Sequence, residues 1–294
     1  MSTARAASAS RRRRLYPDVE LAVTLDPEVV QTRSGAQAMR DKLTGELMHP
    51  VGPLVESQRL YVEPSRLAAR LQEDWGAPLV LLDVGLGAAS NALAAWRCSE
   101  SLPGVRRRLR IISLDRSLAA LELALTPAHA ADFGLEASAG AAARALLARG
   151  GHQTPHTEWQ LRLGEIEANL RVDPEDLADI VFWDPFSPRA NPELWTCAAL
   201  TLVRGACRAG ATLHTYSGAT AVRAALLLAG FAVGMGEKLS EGKYATIAAT
   251  SVDLLQQPLE RRWVERLSRS SAPFPLDAPH DALERIRALA QFAG

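Results

Sequence analysis

Leu79-Val80-Leu81-Leu82-Asp83-Val84-Gly85-Leu86-Gly87-Ala88-Ala89 is the stretch that decides the fold. Its first half is a nearly unbroken apolar run, as in a strand covered on both faces of a parallel sheet. The glycines that follow lack a Cβ, so they allow a tight strand-to-helix turn and close backbone approach. A helix is predicted next, over about 89–98. Working outward, the segments 109–114, 159–163, 178–183 and 211–216 predict further strands. Helices are predicted between them at about 117–125, 136–149, 192–205 and 219–229. Residues 231–233 and 244–249 read as a closing, hairpin-like pair. This alternation implies an α/β, doubly wound, Rossmann-like domain. The expected sheet has seven strands, mostly parallel, with one antiparallel strand at its edge.

The flanks read differently. Residues 1–16 form a basic tail with the run Arg11-Arg12-Arg13-Arg14, expected to be disordered. Residues 17–62 read as an extension of short strands and turns, with Leu21, Val23 and Leu25 alternating and Gly52-Pro53 as punctuation. A short helix is expected after Pro64, with Leu67, Ala68 and Leu71 on one face. The main domain spans 63–257. Residues 258–294 form a proline-punctuated tail ending in an amphipathic helix through Leu283, Ile286, Leu289 and Phe292. The 294 residues contain 33 basic and 33 acidic side chains, so no overall basic field announces a polyanionic partner. Hydrophobic residues at 48% exclude wholesale disorder. The three cysteines Cys98, Cys197 and Cys207 make no disulfide framework, which suggests a reducing, cytoplasmic setting. No apolar run is long enough to span a membrane. His49, His129, His152, His156, His214 and His280 lack metal-ligand spacing with the cysteines and read as ordinary loop histidines, so no metal is expected.

Gly85 and Gly87 sit where a ligand meets the first turn of a helix in such sheets. A dinucleotide fingerprint wants a third glycine, and Ser90 stands in its place. Asp83 ahead of the loop would repel a pyrophosphate. Asp115, ending the second strand, can accept the hydroxyls of a ribose, or simply cap the next helix together with Ser117. The two acids favour a nucleoside with a cationic tail, and S-adenosylmethionine has that chemistry. Further on, Trp183-Asp184-Pro185-Phe186-Ser187-Pro188-Arg189-Ala190-Asn191-Pro192 carries one carboxylate on a proline-stiffened loop beside the first strand. Asp184 could accept an N–H from an attacking amine, with Trp183, Phe186 or Tyr216 as an aromatic wall.

The segment Asp184-Pro-Phe-Ser-Pro through Asn191-Pro-Glu-Leu-Trp195 resembles the signature of the tRNA 5-methylaminomethyl-2-thiouridine methyltransferases (MnmC/MnmD-like). Gly52-Pro-Leu-Val-Glu56-Ser-Gln-Arg-Leu-Tyr61, Leu163-Gly164-Glu165 and Gly210-Ala-Thr-Leu-His-Thr-Tyr216 resemble other parts of that family in order. The similarity runs over about residues 30–250. It implies a class I methyltransferase without the family's FAD oxidase domain. Its cofactor would be S-adenosyl-L-methionine and its partner tRNA, with methylation of the aminomethyl group of the wobble uridine. By resemblance, Asp184 is catalytic. Glu56, Asp83, Gly85, Gly87, Asn91, Asp115, Gly164, Glu165 and Asp184 hold the cofactor, with Glu165 near the adenine. Phe186, Tyr216 and Arg189 meet the substrate. Arg106-Arg107-Arg108 with Arg110 is a candidate track for RNA phosphates, or a solvated face. The family's basic segment near the end is replaced here by Gly236-Glu237-Lys238. Methylation of a small amine, aminopropyl transfer and a non-catalytic scaffold therefore stay open as alternatives.

Overall fold

The computed structural model describes residues 25–292 apart from 75, 105, 172 and 268. The arginine run and the strand expected around Leu21 and Val23 lie outside the described residues. The chain opens with a small antiparallel sheet of β1 (Pro27–Gln31), β2 (Gln37–Asp41) and β3 (Leu47–Met48). Helix α1 (Pro53–Ser57) follows and runs into a π-helical turn, Gln58–Val62. Residues 53–62 are therefore helical where turns were expected. Gly52 at φ 121° followed by Pro53 starts a helix here, because proline suits a first helical position, where no intrahelical N–H bond is needed. Helix α2 (Leu67–Leu71) comes next.

The main sheet is built from β4 (Leu79–Val84), α3 (Ser90–Ser101), β5 (Leu109–Asp115), α4 (Ala119–Ala124), α5 (Ala137–Arg149), β6 (Gly151–Gln153), β7 (Thr157–Leu163), α6 (Ile166–Asn169) and β8 (Ala178–Trp183). It continues with α7 (Cys197–Gly205), β9 (Cys207–Thr215), α8 (Thr220–Leu228), β10 (Ala232–Ser240) and β11 (Lys243–Ala249). The helix expected over 192–205 is divided: Pro192–Trp195 is 3-10, and Thr196 caps α7 by accepting the Ala199 N–H at 3.1 Å. Strand order is β10-β11-β9-β8-β4-β5-β7-β6. The β9, β8, β4, β5 and β7 block is parallel.

The strands expected for the main sheet are present, with two differences. The antiparallel strand of the closing pair, β11, is not at the edge. It folds back from β10 and inserts between β10 and β9. Small buried residues, Ala245, Ala248 and Ala249, suit that interior place. The far end of β10 is exposed and polar, as an edge strand should be. An eighth strand, β6, pairs antiparallel at the other edge. Gly151-His152-Gln153 has no apolar pattern by which to read it as a strand.

Both β4 and β8 are buried at every residue, because helices cover both faces of the sheet. Alternate residues feed two cores. Leu79, Leu81, Ile180 and Phe182 pack with α2, α3 and α5 through Leu67, Leu93 and Leu146. Val80, Leu82, Val84, Val181 and Trp183 face α7 and α8 through Leu200 and Leu226. The tail helices α9 (Arg261–Leu267) and α10 (Ala282–Arg287) complete that second layer with Trp263, Ile286 and Phe292. Gln291 ties the tail down by donating to the Val233 and Leu259 carbonyls at 2.7 and 2.9 Å. Between β4 and β8 the chain order reverses. In open α/β sheets, such a reversal opens a ligand crevice beyond the C-terminal ends of the strands.

Candidate active site

Two strand ends deliver carboxylates to this crevice, Asp115 from β5 and Asp184 from β8. Asp184 follows β8, and its N–H donates to the Val84 carbonyl at 2.9 Å, so the proline loop starts against the glycine loop. A Cβ on Gly85 would lie 2.5 Å from the Asp184 carbonyl oxygen, and Gly85 also has φ +88°; only glycine meets both conditions. The Asp184 carboxylate is oriented by two donors: Tyr61 Oη donates to Oδ1 at 2.6 Å, and Asn91 Nδ2 to Oδ2 at 2.7 Å. Burial pushes its pKa up to about 7, while these two hydrogen bonds pull the other way. Asp115 accepts the Gly87 N–H at 2.9 Å and the Ser117 N–H at 3.0 Å. Burial raises its pKa as well.

A cavity of about 540 Å³ lies in front of these groups, lined by Gly85, Gly87, Asp115, Asp184, Phe186 and Tyr216 among others. Tyr216 Oη donates to the Pro185 carbonyl at 3.1 Å, and Trp195 Nε1 to the Phe186 carbonyl at 2.8 Å, which holds the loop rigid. The small N-terminal sheet supplies a roof. Glu46 accepts both the N–H and the hydroxyl of Ser187, and Met48 lies over Gly87. Glu56 also lines the cavity. It accepts the Val51 N–H at 3.1 Å, and burial raises its pKa.

Other residues singled out from the sequence do not line the cavity. Asp83 is 1% exposed beneath the glycine loop and accepts a hydrogen bond from Ser113 Oγ at 2.7 Å. Its other oxygen has no partner, and burial raises its pKa to about 7. Asn91 acts through Asp184. Gly164 and Glu165 stand just outside, and Glu165 pairs with Arg116 at 3.1 Å. Arg189 is exposed on the proline loop. Trp183 is fully buried and packs edge-on to Trp195, so it forms no wall. The Arg106–Arg110 region is at the opposite end of the sheet; Arg107 is buried there.

The sequence reading missed three side chains. Tyr61 was quoted only as part of a segment. Glu46 gave no signal. His49 was read as a loop histidine, yet it lines the cavity with its Nε2 3.6 Å from Asp184 Oδ2. None could be found from local pattern, because each meets the site across more than a hundred residues of chain.

The donor set suits S-adenosylmethionine. Among the described residues, Glu46, Glu56, Asp115 and Asp184 line the cavity against two arginines, Arg59 and Arg116. Arg59 pairs with Glu237 at 3.0 Å, and Arg116 with Glu193 at 2.8 Å. The excess negative charge disfavours a pyrophosphate and favours a cationic nucleoside without phosphate. Among the described residues no cluster of three or more His, Cys, Asp or Glu could hold a metal ion, and no helix is long and apolar enough to cross a membrane.

Comparison with known proteins agrees. A family model described as S-adenosyl-L-methionine-dependent methyltransferase matches residues 142–251. The tRNA 5-methylaminomethyl-2-thiouridine biosynthesis bifunctional protein MnmC of Methylibium petroleiphilum is 32% identical over 201 residues, covering 64% of this chain and 29% of the relative. The chain thus spans about a third of the length of the curated relatives it matches. The crystal structure of MNMC2 from Aquifex aeolicus shares the fold, with a TM-score of 0.68 at 24% identity over 95% of this chain and 88% of that one. Spermidine synthase from Thermotoga maritima shares it more distantly, with a TM-score of 0.51 at 12% identity over 92% and 86%. The chain is an S-adenosyl-L-methionine-dependent methyltransferase of class I, Rossmann-like fold, and it is MnmC-like in sequence.

Proposed function

We propose that the enzyme methylates a primary amine, and that the amine is the aminomethyl group of a tRNA wobble uridine. The observation that carries the amine is the Asp184 carboxylate. It faces the cavity, clamped by Tyr61 and Asn91, behind prolines that offer no N–H donors. A charged ammonium has no lone pair, so the site must strip a proton before transfer. A carboxyl group whose pKa lies near 7 is matched to that step at neutral pH. Asp184 would take the proton and pass it to water, and would then hold one N–H of the neutral amine, which turns the nitrogen lone pair away from itself. Bound S-adenosylmethionine supplies a methyl group on a sulfonium sulfur. Asp115 would hold its ribose; Gly85 and Gly87 would let its tail approach the backbone, with Glu56, Asn91, Gly164 and Glu165 around it. Phe186 and Tyr216 would wall off water and stack the acceptor, with Arg189 outside on its backbone.

The tRNA assignment rests on the MnmC-like sequence. It is tested by incubating undermethylated tRNA with the enzyme and cofactor, then digesting to nucleosides for mass spectrometry. A gain of one methyl on 5-aminomethyl-2-thiouridine supports it; unchanged nucleosides refute it. One observation favours a free small amine instead. The cavity mouth is rimmed by exposed apolar side chains, Val51 at 56%, Val55 at 63%, Leu47 at 41% and Leu239 at 41%, rather than by unpaired cations. In that case the free nucleoside or another amine is methylated and the tRNA is not. A cytoplasmic setting fits three cysteines without a disulfide.

A further inference from the structure

We infer that His49 Nε2 and Asp184 Oδ2, 3.6 Å apart on the cavity wall, form a two-acceptor seat for a primary amine, and that this seat stops transfer after one methyl group. The inference rests on the amine reading above and adds a residue and a product limit to it.

A neutral primary amine carries two N–H bonds and one lone pair. Two acceptors this close can both be reached from one nitrogen. When they take both N–H bonds, the lone pair points away from both of them, toward the cavity. Asp184 Oδ1 is occupied by Tyr61, and Oδ2 is shared with Asn91, so Oδ2 keeps one free lone pair on the His49 side. His49 can accept at Nε2 in its Nδ1–H tautomer. Burial lowers its pKa and keeps the imidazole uncharged, with Glu56 on α1 pulling the other way. The backbone at His49 adds an independent sign. Its φ is 54°, left-handed for a residue with a side chain, and such strain collects where a side chain must be aimed.

Transfer leaves a methylammonium that still carries two N–H bonds; the neutral amine formed when it loses a proton has only one. To aim its lone pair as before, that amine must press its methyl against one acceptor. That acceptor is then buried without a donor, which should slow a second transfer about ten- to a hundredfold. The seat therefore turns over primary amines and leaves secondary ones unmethylated.

The test compares the wild type with His49→Gly, since glycine tolerates this backbone and removes the imidazole. Nucleosides from undermethylated tRNA treated with excess cofactor are counted by mass spectrometry. The wild type should give the monomethyl nucleoside alone. His49→Gly should accumulate dimethyl nucleoside, and added imidazole should suppress it. Initial rates on tRNA carrying the primary and the secondary amine read the same preference. A tenfold or larger preference for the primary amine should shrink to about twofold in His49→Gly. Dimethyl nucleoside from the wild type, equal rates on both amines, or an unchanged preference in His49→Gly would each overturn the inference. Benzylamine and N-methylbenzylamine serve as a second pair. If tRNA is refused while the benzylamines are discriminated by the wild type and not by His49→Gly, the tRNA reading falls and the seat stands. If the wild type discriminates neither pair, the seat falls.

Discussion

The two ends of the central sheet both bury carboxylates, but they treat them oppositely. At the N-terminal ends of the strands every such acid has an arginine. Asp179 accepts the Val80 N–H at 2.9 Å and Arg107 Nη2 at 3.1 Å, with Arg70 nearby. Asp176 takes Arg110 at 3.0 Å and also Arg162. At the C-terminal ends, Asp83 and Asp184 have hydroxyl and amide donors instead, from Ser113, Tyr61 and Asn91. Both have pKa values pushed up to about 7, chiefly by burial. Compensated carboxylates hold the fold; of the uncompensated ones, Asp184 faces the cavity and is the group we propose moves a proton, while Asp83 lies beneath it. A group poised between protonation states is a mark of a working site.

The comparison is broken most directly at Asp184. Asp184→Ala removes the acceptor from the cavity and leaves Tyr61 and Asn91 without their partner. Turnover should fall about 10²- to 10⁴-fold, the range for losing a positioned acid–base group. Calorimetric binding of S-adenosylmethionine should survive within about tenfold. Turnover at the wild-type level would show that the uncompensated end is not where chemistry happens.

Asp179→Ala probes the other end and should have the reverse signature. It takes the carboxylate away from Arg107, whose side chain is 3% exposed and is left with the Ala77 and Pro78 carbonyls, and it orphans the Val80 N–H. Breaking a buried pair from one side costs about 3–5 kcal/mol. A urea titration should show that loss at an unchanged m-value, and the protein that remains folded should keep its kcat. A fall in kcat at full stability would erase the distinction between the two ends.

The sequence made the sheet legible and the site only half so. The two central strands β4 and β8 announced themselves through apolar runs, because burial on both faces leaves little room for polar residues, and β7 through alternation, its polar side chains being only partly buried. The internal position of β11 was hidden, since a hairpin can lie on either side of its partner and only the small side chains at Ala245, Ala248 and Ala249 decide it. Gly85, Asp115 and Asp184 could be picked out because strand ends in this topology must converge. Tyr61, His49 and Glu46 could not. They come from an N-terminal extension whose docking over the crevice is a long-range packing event. Gly52-Pro53 shows the same limit at short range, being equally a turn and a helix start until the following residues are seen to be buried.

Asp83 sharpens the comparison through stability rather than turnover. Its folded pKa, about 7, lies above the ordinary 3.8, so between roughly pH 4 and 7 the folded protein holds a proton that the unfolded chain has released. The sign follows from linkage: the associated stability is complete below pH 4 and is lost as the pH rises through 7. At about 1.4 kcal/mol per pH unit, the loss is at most about 4 kcal/mol. Asp83→Asn keeps an acceptor for Ser113 Oγ and cannot ionise. Chemical denaturation from pH 4 to 8 should show that the variant has lost about one proton's worth of this downward slope. It should therefore be more stable than the wild type at pH 8, by up to a few kcal/mol. Parallel curves for the two proteins would mean that Asp83 ionises as it does in water, and that burial without a cation is not what distinguishes this end of the sheet.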